Sequence, residues 1–257
     1  MKTPALKRAY VWELPVRIFH WANALCISVL IVTGLLIAYP PAVMSDQEAA
    51  QQFWFGYIRM IHFIAAYGLI ALMAFRLYWS LWANKYGSWR VFLPFSRQNL
   101  LKMWQVVKYD ILLQRHAKNG TYKESVGHNN VAAFSYLALF LLALVMVATG
   151  FALYAPNASW FLPKLFGWVV TLLGSESNVR LVHHFASWAF ILFIVVHVYL
   201  VLYHDWLEGK GETSSMISGY KFVDTDVQEE KQPSPEKKAG QRKITLTQTS
   251  NADELPA

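Results

Sequence analysis

Five of the eight histidines, His20, His62, His183, His184 and His197, lie within or at the mouth of long apolar runs. An imidazole stripped of its water partners costs about 2–7 kcal/mol unless something replaces them, so these positions ask for a chemical reason. His183 and His197 are fourteen residues apart. On one helix that is a rise of about 21 Å and a rotation that brings the second ring back to within about 40° of the first. One helix face therefore presents an imidazole near each surface of a membrane. His20 opens the first apolar run and His62 lies a turn or two into the second. Depth pairs His62 with His183 on one side and His20 with His197 on the other, as two metal centres stacked across a membrane would require.

The neighbours narrow the chemistry. Arg17 precedes His20, Arg59 precedes His62 and Arg180 precedes His183, each by three residues. An i,i+3 pair shares a helix face, so each Arg stands one turn nearer water than its His. Haem b needs an axial imidazole at depth and a cation near the headgroups, because Arg pairs with a propionate in a two-pronged geometry. A bare zinc or copper ion wants three or four clustered ligands, and the apolar runs hold few carboxylates. Two His per haem fill both axial positions, which fits electron transfer. A lone membrane His is commonly a hydrogen-bonded packing residue, and that is the expectation for His184, which points about 100° away from His183. His116 and His204 are expected in solvent.

These residues are carried by helices. The chain is 55% hydrophobic and 15% charged, far from the roughly 25% charged of soluble domains. Runs near 19–39, 57–82, 131–154 and 181–204 each suffice to cross about 30 Å of hydrocarbon. The fold class is thus an all-α integral membrane protein, a bundle of four transmembrane helices. Residues 83–127 carry eight Lys and Arg, residues 40–56 none, and residues 155–179 only Lys164. By the positive-inside rule both termini and the long middle loop are cytoplasmic, so the net charge of +7 orients the chain and does not mark a nucleic-acid binder. The single Cys26 excludes an internal disulfide, a CxxC pair and a Cys-ligated iron–sulfur cluster. Residues 1–223 read as one membrane domain. A surface helix is expected within residues 100–118, and residues 224–257 read as a polar, disordered tail.

The chain also resembles itself. The segment beginning at Arg59 aligns without gaps on that beginning at Arg180, matching His62 with His183 and Arg76 with His197. Ahead of them "VTGLLIAYP" (32–40) echoes "ATGFALYAP" (148–156). A parallel repeat of two helices would set His62 and His183 at one depth, facing each other across a pseudo-twofold axis.

Six stretches together carry a family resemblance: "PVRIFHW" (15–21), "GYIRMIHF" (56–63), "GHN" (127–129), "TGFALY" (149–154), the "HH" and "HVY" of the fourth run, and "SGY" (218–220). The chain resembles the b-type cytochrome subunit of membrane-bound nickel–iron hydrogenases, itself similar in architecture to the cytochrome b of respiratory formate dehydrogenase. The match covers about residues 10–220. It departs at Asn130, where the family often has Pro, and in its long tail.

The resemblance implies two haems b in the inner membrane and docking to the small and large subunits of a hydrogenase facing the periplasm. It also implies electron delivery to quinone; nickel chemistry would belong to the partner, leaving this chain as relay. His128 and Asn129 then become candidates for a quinone site, since His can relay protons and Asn can bond a quinone carbonyl. Capping of the third helix is the competing role for the Asn residues. Three other readings stay open on sequence: a cytochrome subunit of formate dehydrogenase or a related periplasmic reductase, a free-standing b561-type carrier, and a haem-free transporter or scaffold.

Overall fold

The computed structural model describes residues 6–41, 53–84, 86–89 and 130–224. The expected surface helix near 100–118, the tail beyond 224, and His116, His128 and Asn129 lie outside the described residues. Strand β1 (Leu6–Tyr10) leads into α1 (Leu14–Ala38) and α2 (Trp54–Trp82) follows. Helix α3 (Asn130–Tyr154) runs into a short 3-10 turn (Ala155–Asn157), then α4 (Phe161–Lys164), α5 (Trp168–Leu173), α6 (Glu176–Glu208), α7 (Glu212–Ser218) and strand β2 (Tyr220–Asp224).

Four of these, α1, α2, α3 and α6, are long and apolar enough to cross a membrane. They match the four expected spans, and the chain is a multi-pass membrane protein. The helices outrun the apolar runs at their ends: α6 has 33 residues, about 50 Å at 1.5 Å each, against roughly 30 Å of hydrocarbon. Local signals set these limits. Pro15 falls in the first turn of α1, where its missing N–H is not needed. Ser175 caps α6 by accepting from the Asn178 N–H, and Gly209 closes it at φ 62°.

Helices α1 and α2 pack side by side, as do α3 and α6. The two pairs meet in a central cluster of Leu69, Met73, Ala143 and Phe190, with Leu30 and Met146 against it. Large apolar side chains such as Leu25, Ile64 and Leu192 point outward, where lipid tails would receive them.

One end of the bundle, here the terminal end, carries a small cap that the apolar pattern does not reveal. Strands β1 and β2 pair antiparallel, with Arg8 opposite Phe222. Val11 is fully buried against Val223. Glu13 accepts from the Trp79 indole N–H and the Asn84 backbone N–H, each at 3.2 Å, joining α1 to the end of α2. The backbone N–H groups of Val11 and Trp12 both donate to the Gly219 carbonyl, at 2.9 and 3.1 Å.

Gly219 explains the "SGY" stretch. Its φ is +86°, and a Cβ there would lie 2.7 Å from a Tyr10 ring carbon and 2.8 Å from the Trp12 carbonyl oxygen. Gly219→Ala is therefore expected to destabilise the cap by about 1–3 kcal/mol, seen as a lower melting temperature in detergent. An unchanged melting curve would refute this role.

Candidate functional site

The four depth-matched histidines separate into two pairs, one towards each end of the bundle. At the terminal end, His20 on α1 and His197 on α6 face each other with ring centres 6.5 Å apart and ring planes at 55°. Two imidazoles on opposite sides of one metal ion, each bonded at about 2 Å, bring their ring centres to roughly 6–6.5 Å. The observed spacing fits one shared metal. Phe193, one turn earlier, stacks on His197 at 5.4 Å and 12° and limits its ring orientation. The His20 Nδ1 and the Arg17 Nε are both buried without a hydrogen-bond partner. Arg17 spends its Nη1 on the Ile217 carbonyl, and Trp21 donates to the Met216 carbonyl at 3.0 Å. Arg17 thus ties α1 to the end of α7, a contact that the sequence pattern did not suggest, while its Nε remains directed elsewhere.

At the other end, called the loop end for residues 155–175, lie His62 on α2 and His183 on α6. Each ring is held by the helix packed beside it. The Thr33 Oγ1 lies 2.8 Å from the His62 Nδ1, and the Thr149 Oγ1 lies 2.8 Å from the His183 Nδ1. The next residue in each case is glycine. A Cβ on Gly34 would lie 3.4 Å from the His62 Cε1, and one on Gly150 3.3 Å from the His183 Cε1. The Thr-Gly of "VTGLLIAYP" and of "ATGFALYAP" thus performs one task twice, and the internal repeat is expressed in contacts as well as in letters.

The same register sets His20 against Tyr136 and His197 against Arg76. Arg76 is 4% exposed, and its Nε donates to the Tyr136 hydroxyl at 3.0 Å. Where one half of the bundle has an imidazole pair, the other has a cation bonded to a phenol. Thr33, Thr149 and the Arg76–Tyr136 pair are the site residues that spacing arguments missed. Only the repetition of Thr-Gly hinted at the first two.

Arg59 and Arg180 are exposed at the loop end, one turn outward of His62 and His183. His184 turns to its own helix, its Nδ1 lying 2.9 Å from the Arg180 carbonyl, in keeping with a local polar contact. An aromatic cluster covers this end: Tyr67 approaches Phe151 and Trp160, each at 5.7 Å, and Phe151 approaches Phe166 at 5.3 Å.

Among the described residues, no three His, Cys, Asp or Glu side chains converge to hold a bare metal ion. The sites offer two imidazoles each. That donor set suits a metal whose remaining ligands arrive with a cofactor, and the orphaned Arg17 Nε suits the propionate of a haem. A four-helix membrane bundle with paired axial-type histidines has the build of a b-type cytochrome, a class that carries haem b. Residues 11–219 match the family described as prokaryotic cytochrome b561, and the chain belongs to that family. A protein of Cupriavidus necator described as a probable Ni/Fe-hydrogenase B-type cytochrome subunit is 38% identical over 84% of this chain and 88% of its own length. A similarly described protein of Bradyrhizobium diazoefficiens is 37% identical over 82% of this chain and 84% of its own. The probable Ni/Fe-hydrogenase 1 B-type cytochrome subunit of Escherichia coli K12 is 33% identical, covering 82% and 90%.

Proposed function

We propose that this chain is the dihaem b-type cytochrome of a nickel–iron hydrogenase, anchoring that enzyme to the inner membrane and passing its electrons to quinone. The observation that carries the reading is the approach of His20 to His197 at one end of the bundle, with His62 and His183, each set against a threonine of the neighbouring helix, at the other. His62 and His183 hold one haem, with Arg59 and Arg180 placed for its propionates. His20 and His197 hold the other, with the Arg17 Nε placed likewise. Haem supplies a reversible one-electron carrier at each level. The names borne by the relatives support the choice of hydrogenase over formate dehydrogenase or a free-standing carrier.

With both termini cytoplasmic, the loop end faces the periplasm and the hydrogenase small subunit, and its exposed Phe161, Trp168 and Leu172 offer apolar contact. Electrons enter there and leave at the terminal end. Carrying them inward costs about 2.3 kcal/mol per charge per 100 mV of membrane potential, which a low-potential donor supplies. The protons for quinone come from the cytoplasm, through His128, while Asn129 bonds a quinone carbonyl beside the terminal-end haem.

Two measurements test this. The complex should yield two haems b per chain by pyridine haemochrome, with both reduced by hydrogen; one haem or none overturns the dihaem reading. His128→Ala and Asn129→Ala should each lower hydrogen-dependent quinone reduction at least tenfold. They should leave reduction of a dye that draws directly on the hydrogenase unchanged. Wild-type quinone rates in both variants would move the quinone site elsewhere.

A further inference from the structure

The two histidine pairs differ in what holds their Nδ1 atoms. Thr33 and Thr149 are 7% and 3% exposed, so water does not compete for their hydroxyls. The Thr33 Oγ1 sits 2.6 Å from the Val29 carbonyl oxygen and 2.8 Å from the His62 Nδ1. The Thr149 Oγ1 sits 2.7 Å from the Val145 carbonyl oxygen and 2.8 Å from the His183 Nδ1. A hydroxyl has one proton to give. If it went to the imidazole, two oxygen lone pairs would face each other at 2.6–2.7 Å with no proton between them. The hydroxyl therefore donates to the carbonyl four residues back, a bond that a helical Thr makes readily. Its lone pair then accepts from the Nδ1–H.

Both loop-end rings are thereby fixed as the tautomer with Nδ1 protonated and Nε2 bare. At the terminal end, the His20 Nδ1 is buried with no hydrogen-bond partner. His197 makes ring contacts with Phe193 and His20.

We propose that Thr33 and Thr149 are positioning residues that select the metal-binding tautomer of His62 and His183 and hold the loop-end haem at a lower potential than the terminal-end haem. The inference rests on the haem assignment above. A hydrogen bond accepted from Nδ1–H makes Nε2 a stronger donor, which favours the oxidised metal and lowers its potential. Two such bonds act on the loop-end centre, and His20 lacks one. A single electron therefore moves from the loop-end centre, which is oxidised, to the terminal-end centre, which is reduced. The hydrogenase is the reductant behind the step and quinone the oxidant ahead of it. The offset between the centres opposes the membrane potential that the electron must cross.

The test is a redox titration of the hydrogenase–cytochrome complex, followed in the haem α-band. It compares Thr33→Val, Thr149→Val and the double variant with Thr33→Ser and Thr149→Ser. Each Val variant should raise the loop-end midpoint, the double variant should raise it further, and the terminal-end midpoint should stay put. Ser, which keeps the hydroxyl, should restore the wild-type value. Loop-end midpoints that stay fixed or fall, with both haems retained, overturn the inference and leave the haem assignment standing. If the Val variants do not assemble, the wild-type order decides: a loop-end centre titrating above the terminal-end centre overturns the inference. His197→Ala, which keeps only the loop-end haem, assigns the two waves. Fewer than two haems in the wild-type chain would instead defeat the assignment, and the inference with it.

Discussion

Replacing His197 with alanine is expected to lower the haem content from two per chain to one, and His20→Ala should do the same. The two rings face each other at 6.5 Å, as two ligands of one metal would, and a haem left with a single axial imidazole is expected to be lost on purification. His62→Ala and His183→Ala should remove the other haem. The sharper form of the prediction lies in combinations. His20→Ala with His197→Ala should still retain one haem, whereas His20→Ala with His62→Ala should retain none. His184→Ala should keep both haems, because its Nδ1 is engaged with the Arg180 carbonyl of its own helix. Pyridine haemochrome quantitation of each purified variant decides. Two haems in any of the four single variants, or one haem in His184→Ala, would break the pairing.

The approach of His20 to His197 was legible in the sequence because it depends on two numbers that a helix fixes, rise and rotation per residue. Fourteen residues along α6 separate His183 from His197, and the hydrophobic runs set the depth of His20 and His62. The four spans were legible for a related reason, since hydrocarbon thickness sets their length. The terminal cap was not. Leu6–Tyr10 pairs with Tyr220–Asp224 across the length of the chain, and a five-residue strand containing Lys7 and Arg8 carries no pattern that names a distant partner. Gly219 stood in a recognised stretch, yet its purpose needed the Tyr10 ring and the Trp12 carbonyl to be in place.

The roles of Thr33 and Thr149 were half visible. The repetition of Thr-Gly showed that something is needed twice, but a hydroxyl near a helix end is equally suited to bonding its own backbone. Both threonines do bond it, and only the packing of α1 on α2 and of α3 on α6 shows that the same oxygen also lies 2.8 Å from an imidazole Nδ1. Arg76 aligns with His197 in the repeat. Its neighbours Tyr136 and Phe19 became apparent only when α1, α2 and α3 were brought together.

Gly34 and Gly150 give the second large effect, and here two physical terms pull in opposite directions. Glycine inside a helix costs about 1 kcal/mol relative to alanine, so both helices would gain from Gly→Ala if nothing else mattered. Each keeps glycine at the one place where an imidazole from the neighbouring helix lies against its backbone. An alanine Cβ would sit 3.4 Å from the His62 Cε1, at the near limit of ordinary contact, or 3.3 Å from the His183 Cε1, closer than the roughly 3.5–4.0 Å at which carbon atoms settle by preference. Alanine should therefore leave the fold intact while pressing on the ring, disturbing the loop-end haem spectrum and leaving the terminal-end haem untouched. Leucine at either position places further carbons where the imidazole must lie. Gly34→Leu and Gly150→Leu are accordingly expected to lose the loop-end haem and keep the other, a fall from two haems per chain to one. Because the lost contact is a ring position and not a ligand atom, the result distinguishes a helix that merely packs from one that seats the ligand. Retention of both haems with unaltered spectra in the two leucine variants would show that the rings can move aside without cost.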